Sequence, residues 1–268
     1  MSEADVAFLQ RLAPPTPSSY HRLNPFTKAL AAVAESIAAF VIGGYVGPLA
    51  IFGLAVLPAA AMAGVLRRLV RVSVVLTLPI AISVVLISVF TRAGSTVLFT
   101  VGPFDATVEG VDFAGQVLVR LITLSTAIGL FGLTTEPRAF VFDLERRGLS
   151  PQLAFAATAT LEAIPAMLER AKVIQAAQRA RGLDTEGRIA DRLRGVLPLV
   201  GPVVLSSLTE VEERTLALEV RAFGRRGRRH LLWTMPEATW EAPLRWVLLA
   251  VLVVIVAARL TGAWPAIP

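Results

Sequence analysis

Long apolar runs separated by short polar connections make up the first half of the chain, and one more run lies near its C-terminal end. An α-helix needs roughly 20 residues to cross the ~30 Å hydrocarbon core of a bilayer. Five runs approach that length: 29–45, 47–65, 72–90, 114–133 and 246–260. The pattern predicts an all-α, polytopic membrane protein with about five transmembrane helices.

The stretch between the fourth and fifth runs has a different pattern, in which apolar residues recur every three or four positions among charged ones. That period predicts amphipathic helices. Ser150 and Pro151 indicate a helix start, Pro165 is expected to kink or restart the helix, and Gly182 is expected to end it. A polar connection over 183–194 is predicted to follow.

A second amphipathic helix is predicted to begin near Pro198 and Pro202 and to end at Gly224. Its apolar stripe consists of Leu197, Val200, Val204, Leu208, Val211, Thr215 and Leu218. On the opposite face, Glu210 and Arg214 are spaced to pair. Three parts are therefore predicted: a tail and four transmembrane helices over 1–135, cytoplasmic helices over 136–230, and a linker with the last transmembrane helix over 231–268.

The basic residues predict which side of the membrane each connection faces, because cytoplasmic loops are enriched in arginine and lysine. The connections before the first run and after the second contain Arg11, Arg22, Lys28, Arg67, Arg68 and Arg71. The connection after the third run has Arg92 beside three acidic residues. The N-terminus and the segment 136–245 are thus expected in the cytoplasm, and the C-terminus outside.

The composition removes several classes of function. The chain has no cysteine, and its two histidines, His21 and His230, lie far apart. Thiolate chemistry is excluded, and two distant histidines provide few side chains for a histidine-based metal or catalytic site. No phosphate-binding GxxxxGK[ST] loop occurs. We therefore expect no enzymatic activity, no cofactor and no metal site in this chain.

The net charge of +6 rests almost entirely on arginine, which suits an acidic or phosphate-bearing partner. Nucleic acid is disfavoured, because the basic run 225–229 lacks the interleaved aromatic residues of such sites. A stand-alone carrier or channel remains an alternative, although no internal repeat supports it. The lipid bilayer is the one partner that hydropathy itself predicts.

Two ionisable residues lie within predicted transmembrane runs, Glu35 in the first and Arg120 in the fourth. Intramembrane charges are candidates for function. They also have structural explanations: Arg120 can extend to the membrane interface, and Glu35 can pair with a neighbouring helix. The sequence leaves both roles open.

Four stretches resemble the transmembrane T component of energy-coupling factor (ECF) transporters. They are SYHRLNPFTK at 19–28, the helix start over 148–165, AQRARGLD at 177–184 and EVRAFG at 219–224. The resemblance covers most of the chain. Asn24, Phe26 and Val220 depart from the residues that the family often has, namely Asp, Arg and Ala.

The resemblance implies a coupling subunit of a vitamin or metal-ion importer in a prokaryotic cell membrane. Two cytoplasmic ATPase subunits would bind the helical segment, and a separate substrate-binding membrane subunit would receive the motion and select the substrate. The resemblance assigns ATPase binding to two triplets, which are Ala180, Arg181 and Gly182, and Val220, Arg221 and Ala222. The two arginines are expected to dock in grooves on the two ATPases.

Overall fold

The computed structural model describes residues 18–91, 96–101, 104–182, 189–223 and 237–262. The chain divides into two compact units. Met1–Leu144 and Met235–Pro268 form the membrane unit, and Glu145–Thr234 forms the arm unit. The three-part division over 1–135, 136–230 and 231–268 stays a prediction.

The helices and strands of the membrane unit follow one another in a simple order. They are α1 (Pro25–Ile42), α2 (Val46–Ile51), a π-helical turn (Phe52–Val56), α3 (Leu57–Ala63), α4 (Leu66–Thr91), β1 (Val97–Val101), β2 (Phe104–Thr107), α5 (Val108–Thr134), α6 (Pro137–Arg146) and, after the arm, α9 (Glu241–Leu260). The arm unit contains α7 (Pro151–Ala180) and α8 (Ile189–Val220).

Five stretches of helix within the described residues are long and apolar enough to cross a membrane. They are Pro25–Ile42, Val46–Ala63, Leu66–Val89, Val108–Thr134 and Glu241–Leu260. The prediction of an all-α, polytopic membrane protein is confirmed. The helix ends differ from the apolar runs, most clearly at α4, which begins at Leu66 rather than near residue 72.

The early start of α4 corrects the prediction for one basic connection. Arg67, Arg68 and Arg71 were expected in a loop but lie on the first two turns of α4, with exposed side chains. Arginine favours helix, and its long side chain can reach water from a helix end. An apolar run therefore marks the lipid-facing part of a helix and not its full length.

A small antiparallel hairpin lies between α4 and α5, and the sequence did not predict it. Val97 pairs with Thr107 and Val101 pairs with Phe104, with an irregularity between Val97 and Phe99. Its strands have five and four residues. Such short strands give too few alternations to stand out beside long apolar helices.

Helix α5 is central to the membrane unit and packs against both α1 and α4, while α9 packs against α1. The buried core consists of Val56, Ala60, Ala63, Val65, Leu69, Ala127 and Leu130. A glycine brings α5 close to α4, because a Cβ atom on Gly110 would lie 2.6 Å from the carbonyl oxygen of Ser88. Small side chains and glycine thus allow the close packing expected of membrane helices.

The arm unit contains two long helices, and its first one begins as predicted. The Ser150 hydroxyl accepts a hydrogen bond from the Leu153 amide, and Pro151 is the first helical residue. The expected restart at Pro165 is wrong, because α7 continues through that residue to Ala180. Proline removes one backbone hydrogen bond, and the remaining turns of a 30-residue helix carry it past that point.

The predicted start of α8 near Pro198 and Pro202 is also wrong, because the helix begins at Ile189. Both prolines lie inside it, so the expected polar connection over 183–194 is helical from residue 189 onward. Residues 183–188 and the expected end at Gly224 lie outside the described residues. The last helical residue is Val220.

Helices α7 and α8 run antiparallel along the part where they touch. The rings of Phe155, near the start of α7, and Phe223, just after the end of α8, have centroids 5.0 Å apart. Further along, Arg170 of α7 contacts Glu210 of α8. The start of α7 therefore lies beside the end of α8.

Candidate functional site

The first arginine triplet lies at the C-terminal end of α7. Ala180 is the last helical residue, Arg181 follows as the cap, and Gly182 has a φ of +89°. The Gly182 amide donates to the carbonyl of Arg179 at 2.9 Å. A positive φ reverses the chain direction and ends the helix, which is the usual reason for glycine at this position. All three residues of the triplet are exposed.

The second triplet ends α8 in a similar way. Ala222 has a φ of +53°, and its amide donates to the carbonyl of Glu219 at 2.9 Å. The Phe223 amide donates to the carbonyl of Leu218 at 3.0 Å. These two bonds form a Schellman cap with Arg221 at the cap position. Alanine at the positive-φ position is unusual, because its Cβ makes that conformation costly.

The two ends are equivalent, and we call them the arginine tips: 180–182 and 220–222. In both, the arginine occupies the cap position and precedes a residue of positive φ, the conformation that ends a helix. The tips are open to solvent, with Val220 88 % exposed. Each guanidinium can offer paired N–H donors to a carboxylate in a partner.

The structure does not bring the two tips together. Arg221 lies two residues before Phe223, which contacts Phe155 at the start of α7. Arg181 lies 26 residues further along α7. A helix rises ~1.5 Å per residue, so the tips are on the order of 40 Å apart. The six residues expected to bind ATPases thus form two separate, similar sites, and their binding role stays a prediction.

Arg120, one of the two intramembrane charges, belongs to a chain of hydrogen bonds. Its Nη2 donates to Gln116 Oε1 at 3.2 Å, and Gln116 Nε2 donates to Asp112 Oδ2 at 3.0 Å. Tyr45 Oη donates to Asp112 Oδ1 at 3.0 Å. These residues, except Tyr45, line a cavity of about 570 Å³. Arg120 is therefore held by polar neighbours of its own unit.

Glu35, the other intramembrane charge, lies half-buried on α1. Its influence is visible at Tyr20, which precedes the helix. Burial, and to a smaller extent the charge of Glu35, raise the pKa of the Tyr20 phenol to about 12. Tyr20 also packs against the apolar core. The phenol is thus neutral at any physiological pH.

A buried group that sequence reasoning missed joins the starts of α1 and α9 to α6. We call it the polar cluster: Asn24, Thr27, Asp143 and Glu241. Glu241 Oε2 accepts from the Asn24 amide at 2.9 Å and from Thr27 Oγ1 at 3.0 Å. Asn24 Nδ2 donates to Asp143 Oδ1 at 3.0 Å. Asp143 and Glu241 are each 1 % exposed, so these bonds satisfy buried polar groups.

Further bonds surround the polar cluster. Glu241 Oε1 accepts from the Ala238 amide at 3.2 Å, and Arg245 Nη1 donates to Thr27 Oγ1 at 3.1 Å. Arg245 also pairs with Glu237. The signal that pointed here was the motif SYHRLNPFTK, whose Asn24 caps α1 by accepting from the Phe26 amide at 3.0 Å. The motif gave no indication of partners more than a hundred residues away.

These features define a polytopic membrane protein with an arm of two long helices, each ending in an exposed arginine tip. The sequence model of the CbiQ family, described as "Cobalt transport protein", matches residues 17–231. The chain belongs to this CbiQ/EcfT family, which confirms the resemblance described above.

Similar proteins share the name "Energy-coupling factor transporter transmembrane protein EcfT". That of Heliobacterium modesticaldum is 32% identical over 221 residues, covering 78% of this chain and 81% of the relative. That of Thermosediminibacter oceani is 29% identical over 222 residues, covering 78% and 82%. That of Bacillus subtilis is 26% identical over 234 residues, covering 82% and 88%. The similarity spans most of each protein.

Proposed function

We propose that this chain is the transmembrane coupling subunit of an ECF-type importer. It receives the motion of two cytoplasmic ATPase subunits at its arginine tips and passes it to a separate substrate-binding membrane subunit. The cargo is a vitamin or a metal ion and is selected by that other subunit. ATP hydrolysis belongs to the ATPases, since the chain lacks a phosphate-binding loop.

The observation that carries the proposal is the pair of equivalent tips. Two similar ends, on the order of 40 Å apart on one pair of helices, suit two copies of one docking groove or two related subunits. Each tip presents its arginine at the cap of a helix, with exposed neighbours. A stand-alone carrier or channel gives these exposed and matched ends no role.

The chemistry of docking follows from the guanidinium group. Arg181 and Arg221 each provide a planar, permanently charged fork that matches a carboxylate in the partner groove. Such an arginine often dominates an interface when its contact is desolvated. Removing one buried, charge-paired arginine is expected to cost about 2–5 kcal/mol of binding free energy.

The proposed orientation puts the arm in the cytoplasm of a prokaryotic cell and the chain in its cell membrane. The polar cluster brings the starts of α1 and α9 to the same end of the membrane unit as α6. Along the chain, the arm follows α6, and Arg22, Arg138 and Arg245 lie at or near the starts of α1, α6 and α9. The abundance of arginine there favours the inner side.

Co-purification with the cognate ATPase subunits tests the proposal. We expect Arg181→Ala and Arg221→Ala each to weaken assembly and the double variant to abolish it. Arg179→Ala is the matched control, because it removes an exposed arginine on the same turn of α7 as Arg181. Normal assembly of the double variant would refute the proposal. Uptake by the chain without ATPases would favour the carrier or channel instead.

A further inference from the structure

Three charged side chains connect the two arm helices, and we call them the ion triad: Arg170, Glu210 and Arg214. Arg170 Nη2 of α7 contacts Glu210 Oε2 of α8. Arg214 Nη2, one turn further along α8, lies 2.6 Å from Glu210 Oε1. The hydrogen bond from Arg170 is the largest of the effects that lower the pKa of the Glu210 carboxyl. Glu210 is therefore charged at neutral pH, with each oxygen facing an arginine.

The ion triad lies midway between the arginine tips. Arg181 follows Arg170 by eleven residues, and Arg221 follows Glu210 by the same number. Each tip is thus about three helical turns, or roughly 16 Å, from the triad along its own helix. Because the helices are antiparallel, the two tips extend from the triad in opposite directions. A rotation of about 15° at this point would move each tip by roughly 4 Å.

The apolar side chains of α7 and α8 near the triad do not fill the space between the two helices. A cavity of about 310 Å³ lies between α7 and α8, and its lining includes the small side chains of Ala159 and Ala163 together with Glu210 of the triad. Val211 faces it from α8 and is 60% exposed. Apolar contact has no preferred direction, whereas an arginine–carboxylate pair has a defined geometry. The triad therefore specifies the angle between the helices more strictly than the apolar contacts do.

We infer that Arg170 and Glu210 are positioning residues that fix the angle between the two arginine tips, so that movement of one tip is transmitted to the other. The inference rests on the proposed function, because the tips matter only if ATPases move them. Exposed ion pairs add little to folding stability. Loss of the triad should therefore leave both helices folded and both tips able to dock, while their movements become independent.

The distance between the two helices in the assembled complex tests this inference. The chain has no cysteine, so Ala177→Cys and Ala217→Cys provide unique sites for spin labels. Both alanines are exposed, and each lies seven residues beyond its triad residue. Pulsed electron resonance would measure the label–label distance with the ATPases bound, with and without a non-hydrolysable ATP analogue.

In the labelled chain with an intact triad we expect a narrow distance distribution that shifts when the ATP analogue binds. In Glu210→Gln we expect a wider distribution and loss of the shift, with the complex still assembled. Reversing all three charges, by Arg170→Glu, Glu210→Arg and Arg214→Glu, should restore the narrow distribution and its shift. The control is Glu169→Gln, which removes an ion pair with Lys172 inside α7 alone. It should change neither the width of the distance distribution nor its shift.

The outcomes separate the two proposals. An unchanged width and shift in Glu210→Gln, or no recovery in the charge-reversed chain, would overturn the role of the ion triad. The proposed function would survive that result if Arg181→Ala with Arg221→Ala still abolished assembly. Assembly without either arginine would instead refute the proposed function.

Discussion

Glu241→Gln is the substitution that most directly tests how the last helix is held in the membrane unit. Glu241 is the first residue of α9 and is 1 % exposed. Its two oxygens accept three hydrogen bonds, from the Asn24 amide, from Thr27 Oγ1 and from the Ala238 amide. Glutamine has nearly the same shape, so the change removes charge and one acceptor while leaving the packing volume intact.

The expected cost follows from these bonds. The glutamine oxygen can accept from the Asn24 amide and from Thr27 Oγ1. Its NH₂ group then faces the Ala238 amide, and because both groups are donors, that hydrogen bond is lost. Hydrogen bonds to a charged group contribute about 1.5–3 kcal/mol, and an unsatisfied buried donor costs about 1–3 kcal/mol. Because glutamine partly retains two of the three bonds, we expect the substitution to lower the free energy of unfolding by about 2–4 kcal/mol in total. At 2–4 °C per kcal/mol, the melting temperature should fall by roughly 5–15 °C.

Thermal unfolding of the purified full-length chain in detergent, followed by circular dichroism, measures this fall. Glu136→Gln is the matched control, because it makes the same chemical change at an exposed glutamate between α5 and α6. We expect the control to stay close to the unchanged protein. Equal melting temperatures for the two variants would refute the claim that the polar cluster holds α9 to α1.

Glycine contacts give further predictions. Gly110→Ala places a Cβ 2.6 Å from the Ser88 carbonyl oxygen and should destabilise the membrane unit by about 1–3 kcal/mol; Gly132→Ala, whose Cβ meets no described atom within 4 Å, should be neutral or stabilising by up to ~1 kcal/mol. At the tips, Gly182→Ala should increase fraying of α7 and Ala222→Gly should reduce fraying of α8, each by about 1 kcal/mol, because both positions have positive φ. Thermal unfolding measures the stability of the Gly110 and Gly132 variants, and amide hydrogen exchange measures fraying of the helix ends in the tip variants. Equal losses of stability in Gly110→Ala and Gly132→Ala would contradict the first pair of predictions. Changes in fraying of the same sign at the two tips would contradict the second pair.

The parts of the fold that the sequence predicted are those set by nearby residues. Each transmembrane helix is an apolar run long enough to span a bilayer, so hydropathy identified all five. The start of α7 was predicted because Ser150 and Pro151 form a local cap. The equivalence of the tips was also visible, since Arg181 and Arg221 occupy similar short motifs.

Helix ends were predicted less well, because they depend on more than local preference. Pro165 predicted a kink or restart, and Pro198 and Pro202 predicted the start of the second arm helix, yet the backbone of α7 and α8 is helical at all three. The cost of a proline inside a helix is about 3 kcal/mol, which the many other turns of a long helix can offset. The start of α4 was missed because Arg67 and Arg68 interrupt the hydropathy signal without interrupting the helix.

Asn24 shows why a motif alone does not explain a buried site. Its side-chain oxygen caps α1 by accepting from the Phe26 amide, a role that aspartate at this position would fill equally well. Its Nδ2 donates to Asp143 at 3.0 Å, and aspartate has no donor for that bond. Aspartate at position 24 would put a second carboxylate against Asp143, which is 1 % exposed. Asparagine therefore satisfies both the Phe26 amide and the Asp143 carboxylate. The preference for asparagine over aspartate depends on Asp143, which lies 119 positions away in the sequence.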